Sequence, residues 1–231
     1  VSYLQGDNAS ALDYFSAALN LFRASGHSMG EAINLGDLGE VHAANGDFAA
    51  ALAALHDSLA LAESLGSRRE MSYKGAYLAA ALLRAGQIEE AQAVIERAHA
   101  QDYLANQAQV GVLRGLIRLR LGAADAARSA FQEAIAAADV QLSYTLGLYP
   151  VRYARALAQA GLGHADEAAR DYHLATTLCN ARGVLQAQLR LLDLLSTEAD
   201  LSPLRAILLR ELAHDAGAAA PAAGTEKNNA S

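Results

Sequence analysis

Tryptophan is absent from this 231-residue chain, cysteine occurs once, at Cys179, and proline three times, at Pro150, Pro203 and Pro221. A lone cysteine excludes an internal disulfide and any zinc site built on cysteines. Scarce proline leaves helices free to run. With alanine at roughly a quarter of the residues and leucine next, the intrinsic preference is helical throughout. No apolar run approaches the ~18 residues that span a bilayer, and no basic segment leads into a hydrophobic stretch at the start. The expected setting is therefore cytoplasmic, with no membrane contact. Lysine is nearly missing as well, with Lys74 and Lys227 alone among many arginines. The net charge of −7 and a pI near 5.4 argue against direct nucleic-acid contact. What remains is 53% hydrophobic and only 19% charged, the composition of a chain that buries a core.

The motifs of chemistry are missing too. There is no GxxxxGK[ST], no GxGxxG after a strand and no GxSxG. None of the seven histidines, His27, His42, His56, His99, His164, His173 and His214, falls in a ligand spacing such as HExxH. They read as surface or half-buried histidines, and Cys179 reads as a small packing residue with no base to activate it. The expectation is a non-enzymatic protein with no catalytic residue, no metal and no cofactor.

What is present is a repeat. Glycines that end one amphipathic segment and precede another fall at Gly6, Gly46, Gly86, Gly122 and Gly163, at intervals of 40, 40, 36 and 41 residues. Five places after each stands an alanine: Ala11, Ala51, Ala91, Ala127 and Ala168. Nine places after stands a large residue: Phe15, Leu55, Ile95, Phe131 and Tyr172. Twelve places after, the residue is always small, and seven places before the last four glycines stand Gly39, Ala79, Gly115 and Ala156. Each unit reads as two antiparallel helices in close contact, with a glycine reversing the chain between them. The small residues lie where the helices cross, and the large one is expected to fill the groove between one hairpin and the next. A single such hairpin cannot bury its apolar face, so the hairpins must stack.

These columns resemble the tetratricopeptide repeat, most fully at Leu38-Gly39, Gly46, Ala51, Leu55 and Ser58. The resemblance spans about residues 1–195. It implies an all-α fold, a right-handed α-solenoid of about five to six antiparallel helix hairpins. Units near 40 residues, with phrases such as Leu21–Gly26, Asn34–Gly39 and Ser58–Gly66, look like a long-helix subtype. That subtype is similar to the C-terminal repeat regions of bacterial multidomain signalling ATPases and transcription activators, and to Leu-Gly-Asn-repeat adaptors. The chain departs from the family pattern four places before the glycine, where an aromatic is expected and His42, Leu82, Arg118 and Gln159 stand instead.

The ends are less regular. Only a turn precedes Gly6, so the first unit reads as truncated and the chain as an excerpt of a longer protein. Its Leu12, Phe15 and Leu19 would then lie open. Val184–Leu195 reads as the first helix of a sixth hairpin. Ser202 as N-cap and Pro203 at the first helical position start a capping helix over about 203–214. Residues 1–214 form one domain on this reading, and 215–231 a disordered tail. Pro150 should open a helix rather than sit inside one, leaving Ser143–Tyr149 as a connector.

In repeats of this kind the concave face is built by the first helix of each unit. The resemblance places there Asp37 and Glu40, then Tyr73, Tyr77 and Arg84, then Leu113, Leu116 and Arg120 beside Gln109, and finally Tyr153 and Leu157. Relatives that grip a C-terminal carboxylate use a Lys/Asn clamp at these positions, and no lysine or asparagine stands at them here. The tyrosines suit anchoring of a helix or extended peptide, or else packing against the next hairpin. Arg114, Arg118, Arg128, Arg152 and Arg155 form either a basic patch or a solvated face paired with Asp125 and Glu133. The resemblance thus implies a protein–protein interaction module that binds a peptide, a partner protein or another domain of its parent in the concave groove. It would serve as the sensor or regulatory region of a larger bacterial signalling or transcription regulator, as a monomer or a weakly self-associating one. The alternative is a domain that senses a small effector, which a deep pocket with convergent polar groups would favour over an open groove.

Overall fold

The structure, a computed structural model, describes residues 2–195 and 200–218. Among them are eleven α-helices and no strand: α1 (Asn8–Ser25), α2 (Ser28–Asn45), α3 (Phe48–Ser64), α4 (Arg68–Arg84), α5 (Ile88–His99), α6 (Gln107–Arg120), α7 (Ala124–Tyr144), α8 (Tyr149–Gly161), α9 (Ala165–Leu178), α10 (Arg182–Leu192) and α11 (Ser202–Ala218). They pack in sequence as five hairpins, α2·α3, α4·α5, α6·α7, α8·α9 and α10·α11, with α1 against α2. The first helices also touch from unit to unit, α2 to α4 to α6 to α8 to α10. The result is the all-α tetratricopeptide-like solenoid that the glycine and alanine columns imply.

Local chemistry explains the alternation of helix and turn. Gly46 takes φ +83°, its amide donates to the Ala43 carbonyl at 3.2 Å, and the amide of Asp47 donates to that of His42 at 3.0 Å. The next residue then starts the second helix, because Asp47 Oδ1 accepts from the Ala50 amide at 3.1 Å. The same pairing of stop and start recurs at Gly6-Asp7, Gly26-His27 and Gly66-Ser67, where His27 Nδ1 accepts from the Gly30 amide at 2.8 Å. From Gln87 onward the N-caps Gln87, Ala123, Leu148, His164 and Ala181 make no such side-chain bond. The later hairpins rely on packing.

That packing corrects one expectation. The large residue nine places after the glycine meets the small residue seven before it inside the same hairpin. A Cβ on Gly39 would lie 2.5 Å from Leu55 Cγ, and one on Gly115 would overlap the Phe131 ring. Phe131 also reaches the next unit, since a Cβ on Gly161 would lie 2.6 Å from its Cε2. The five alanines after the turns are all at or near complete burial. One continuous core runs from Ala43 to Leu208.

The ends sharpen the sequence reading. Leu19 is buried against Leu35 and Leu38, with Leu12 and Phe15 half-buried beside it, so α2 covers part of the face expected to lie open. Pro150 occupies the first turn of α8, and the connector is the shorter stretch Thr145–Leu148. The first helix of the last hairpin, α10, begins two residues early, at Arg182. Ser202 lies within α11 rather than before it, and its amide donates to Asp200 Oδ1 at 2.8 Å. That helix continues to Ala218, four residues into the stretch read as tail, and the tail from 219 to 231 lies outside the described residues.

Residues 2–6 do not continue the stack as a helix. They fold back as turns onto α10, where the Gly183 amide donates to the Leu4 carbonyl at 2.8 Å. A Cβ on Gly183 would collide with the Tyr3 carbonyl oxygen, so this approach needs a glycine. Residues at opposite ends of the chain are thereby joined.

The crossing account makes a direct prediction. Gly115→Ala should cost about 1–3 kcal/mol of unfolding free energy by overpacking Phe131. Adding Phe131→Ile, which copies the Ala79–Ile95 pair of the third unit, should recover part of that loss in chemical denaturation. Strictly additive losses would contradict the account.

Candidate functional site

Five first helices and the Tyr3–Leu4 segment surround one cavity of about 340 Å³. Glu40 and Ala43 come from α2, Tyr73, Tyr77 and Arg84 from α4, and Gln109, Val112 and Leu113 from α6. Tyr149, Tyr153 and Leu157 come from α8, and Gly183, Gln188, Arg190 and Leu191 from α10. Because Leu4 is bonded to Gly183, the Tyr3–Leu4 segment narrows the concave face into a half-enclosed chamber at this level. It is not an open groove along its whole length.

Seven of the ten residues placed on this face by sequence line the chamber: Glu40, Tyr73, Tyr77, Arg84, Leu113, Tyr153 and Leu157. Three do not. Leu116 is 0% exposed and belongs to the core, so it has no surface to offer. Arg120 is exposed at the C-terminal end of α6, away from the lining. Asp37 stands behind the wall and accepts from Lys74 Nζ at 3.3 Å.

Lys74 is the largest surprise of the site. It is only 4% exposed, donates also to the Ile33 carbonyl at 3.4 Å, and its ammonium sits 5.2 Å from the Tyr77 ring centroid. Its aliphatic stem lies on Gly36, where a Cβ would come within 2.6 Å of Lys74 Cδ. One signal was available in the sequence: this is the sole lysine before Lys227 in a chain that otherwise uses arginine.

The tyrosines divide between packing and lining. Tyr153 is 1% exposed and its hydroxyl donates to the Cys179 carbonyl at 2.9 Å, so it is held in the wall. Tyr73 stacks edge-on against Tyr103 at 5.9 Å and Tyr77 covers Lys74, yet both remain partly exposed toward the chamber. Tyr3 bounds the chamber on the far side. Burial, and then the charge of Glu40, push its phenol up from the ordinary range.

The charges in the chamber are unevenly satisfied. Burial pushes the Glu40 carboxyl up to about 7, with Lys74 and Arg190 opposing the rise and Asp37 adding to it. Glu40 in turn is the main reason the Tyr77 phenol stands well above its ordinary value. Arg84 stacks 5.1 Å from the Phe48 ring, and burial followed by the Arg190 charge works against its cation. Among the described residues neither Arg84 nor Arg190 has a carboxylate within ion-pairing distance. Gln109 Oε1 and Gln188 Oε1 are buried without a hydrogen-bond partner.

Four of the five arginines of the other cluster are paired, and the fifth, Arg128, is exposed with no carboxylate within ion-pairing distance among the described residues. Arg114 bonds Glu96 and Glu133, Arg118 bonds Glu96, and Arg155 and Arg152 converge on Asp171. The bridge from Arg114 Nη1 to Glu133 is 2.7 Å, and that from Arg155 Nε to Asp171 is 2.7 Å. These pairs tie neighbouring helices together, with Glu96, Asp139 and Asp171 as partners that sequence reasoning did not name and without Asp125. Among the described residues no group of three His, Cys, Asp or Glu side chains is placed to hold a metal, and no helix is long and apolar enough to cross a membrane.

Residues 1–64 match the tetratricopeptide repeat family. No curated protein matches the chain. Among solved structures, a crystal structure of MamA is 19% identical over 77% of this chain and 91% of its own, with a TM-score of 0.45. A second structure of MamA protein is 16% identical over 74% of this chain and 92% of its own, with a TM-score of 0.33.

The elevated Glu40 carboxyl predicts a pH dependence whose sign is fixed. Its folded value, about 7, exceeds the ordinary 4.5, so the folded chain holds this proton through a window in which the unfolded chain has lost it. The contribution of Glu40 to stability therefore declines as pH rises from about 4.5 to about 7. Glu40→Gln, which cannot ionise, should melt with the parent near pH 4.5 and about 2–4 °C above it at pH 8. A difference that does not change with pH would contradict this placement.

Proposed function

We propose that this chain, a solenoid of the tetratricopeptide repeat family, is a non-enzymatic interaction scaffold whose concave face receives a segment of a partner protein or of its own parent. Support comes from the repeat fold and from one observation: the half-exposed polar side chains that five consecutive first helices contribute converge on a single concave chamber. Convergence of this kind gives a partner many shallow contacts on a rigid frame, with Tyr73 and Tyr77 as anchors that lose little side-chain entropy on binding. As to setting, the proposal is a cytoplasmic regulatory region of a larger bacterial signalling or transcription regulator, as the long-helix subtype suggests. Occupancy of the concave face would then shift the equilibrium of the parent.

A second reading has its own support. The contact between Leu4 and Gly183 half-encloses the chamber, and its volume of about 340 Å³ lies at the lower end of small-ligand sites. This favours an effector-sensing role over the grip of a long peptide at that level.

Site-specific photocrosslinking in cells separates the faces. A benzoylphenylalanine at position 73, in the concave wall, should yield a discrete protein adduct, and one at position 144, where Tyr144 is 83% exposed on α7, should not. Adducts from position 144 alone, or from neither, would overturn the scaffold reading of the concave face.

A further inference from the structure

Resting on the reading of the chamber as a small-ligand site, we propose that it binds a small organic monoacid with an apolar body, its carboxylate held by Arg84 and Arg190. The first ground is that these two cations face one cavity, from α4 and from α10, and neither has a carboxylate partner among the described residues. Every other arginine that reaches between helices in α6 and α8 is paired. At Arg84 the Phe48 ring returns only part of the hydration lost on partial burial, and at neither guanidinium does an anion return the rest. Two of them turned toward one space are an electrostatic vacancy for a carboxylate, and the fork of each suits its two oxygens.

Charge balance sets the valence. The pair Lys74–Asp37 cancels itself behind the wall, so two positive charges and the single carboxyl of Glu40 face the chamber. When Glu40 is ionised the surplus is one unit, which a monoanion neutralises and a phosphate dianion overshoots. The walls set the rest of the ligand. Val112, Leu113, Leu157 and Leu191 give an apolar lining that a hydrocarbon or aromatic body can cover. The unpartnered oxygens of Gln109 and Gln188 could accept from a hydroxyl or amide hydrogen on that body.

Calorimetric titration of the full chain with 3-phenylpropionate, 3-phenylpropanamide and inorganic phosphate tests this at pH 8. The acid should bind, the amide should bind at least ~10-fold more weakly, and phosphate should show no measurable heat. Arg84→Met and Arg190→Met should each weaken the acid by ~10-fold or more while circular dichroism keeps its helical signal. Equal affinity for acid and amide would overturn the proposal and leave the chamber as an apolar ligand site. Phosphate binding as tightly as the acid would overturn the monoanion assignment. No heat from acid or amide up to millimolar concentration would overturn both the proposal and the small-ligand reading beneath it. The comparison of acid with amide uses the parent chain alone, so it stands whether or not the arginine variants fold.

Discussion

Everything in this molecule depends on how closely the two helices of each hairpin approach. A glycine seven places before the turn faces a large side chain nine places after it at Gly39 and Gly115, and each of these pairs leaves no room for a further methyl group. Gly39 against Leu55 and Gly115 against Phe131 are the tightest instances, with Phe131 extending to Gly161 of the next unit. Each hairpin is thereby a tightly joined unit that buries apolar surface against its neighbours. The continuous core from Ala43 to Leu208 follows from that stacking.

Stacking also sorts the charges. Within and between hairpins, Arg114, Arg118, Arg152 and Arg155 are each bound to carboxylates of adjoining helices, which consumes most of the basic side chains of α6 and α8. On the concave side the arrangement differs, because there the first helices also turn side chains toward a shared space. Glu40, Arg84 and Arg190 meet there without a complete set of partners, beside two tyrosines whose phenols are pushed up, Tyr3 mainly by burial and Tyr77 mainly by the charge of Glu40. Two cations without a carboxylate among the described residues, Arg84 and Arg190, and two amide oxygens without a donor, those of Gln109 and Gln188, fall where the fold has left a volume, and this is why function is placed in the chamber.

Much of this was legible before any coordinates. The column of alanines and the alternation of glycines could be read because a close backbone approach accepts so few residue types that it leaves a periodic trace. The concave positions came from the resemblance to the tetratricopeptide repeat, laid on that register, and seven of ten line the chamber. Leu116 has no surface to offer because a periodic rule assigns a face but not a depth, and α6 is buried nearly all round through its middle, whereas Arg120 lies exposed at the end of α6, beyond the level of the chamber. Lys74 escaped because its partners Ile33 and Asp37 belong to the preceding unit and its seat on Gly36 is a single event, not a repeated one. The closure of Tyr3–Leu4 on Gly183 left no trace at all, since a contact between the two ends of a stack has no period.

That closure turns a groove into a chamber, and the ligand reading depends on it. Gly183 lies in the first turn of α10, where an amide has no partner within its own helix and would otherwise exchange with solvent freely. Hydrogen exchange at the Gly183 amide, followed by NMR in the full chain, is therefore the most direct measurement. Protection of at least ~10-fold beyond the neighbouring first-turn amide of Arg182 is the predicted result. Exchange of both amides at the same unprotected rate would show an open concave face and contradict the account.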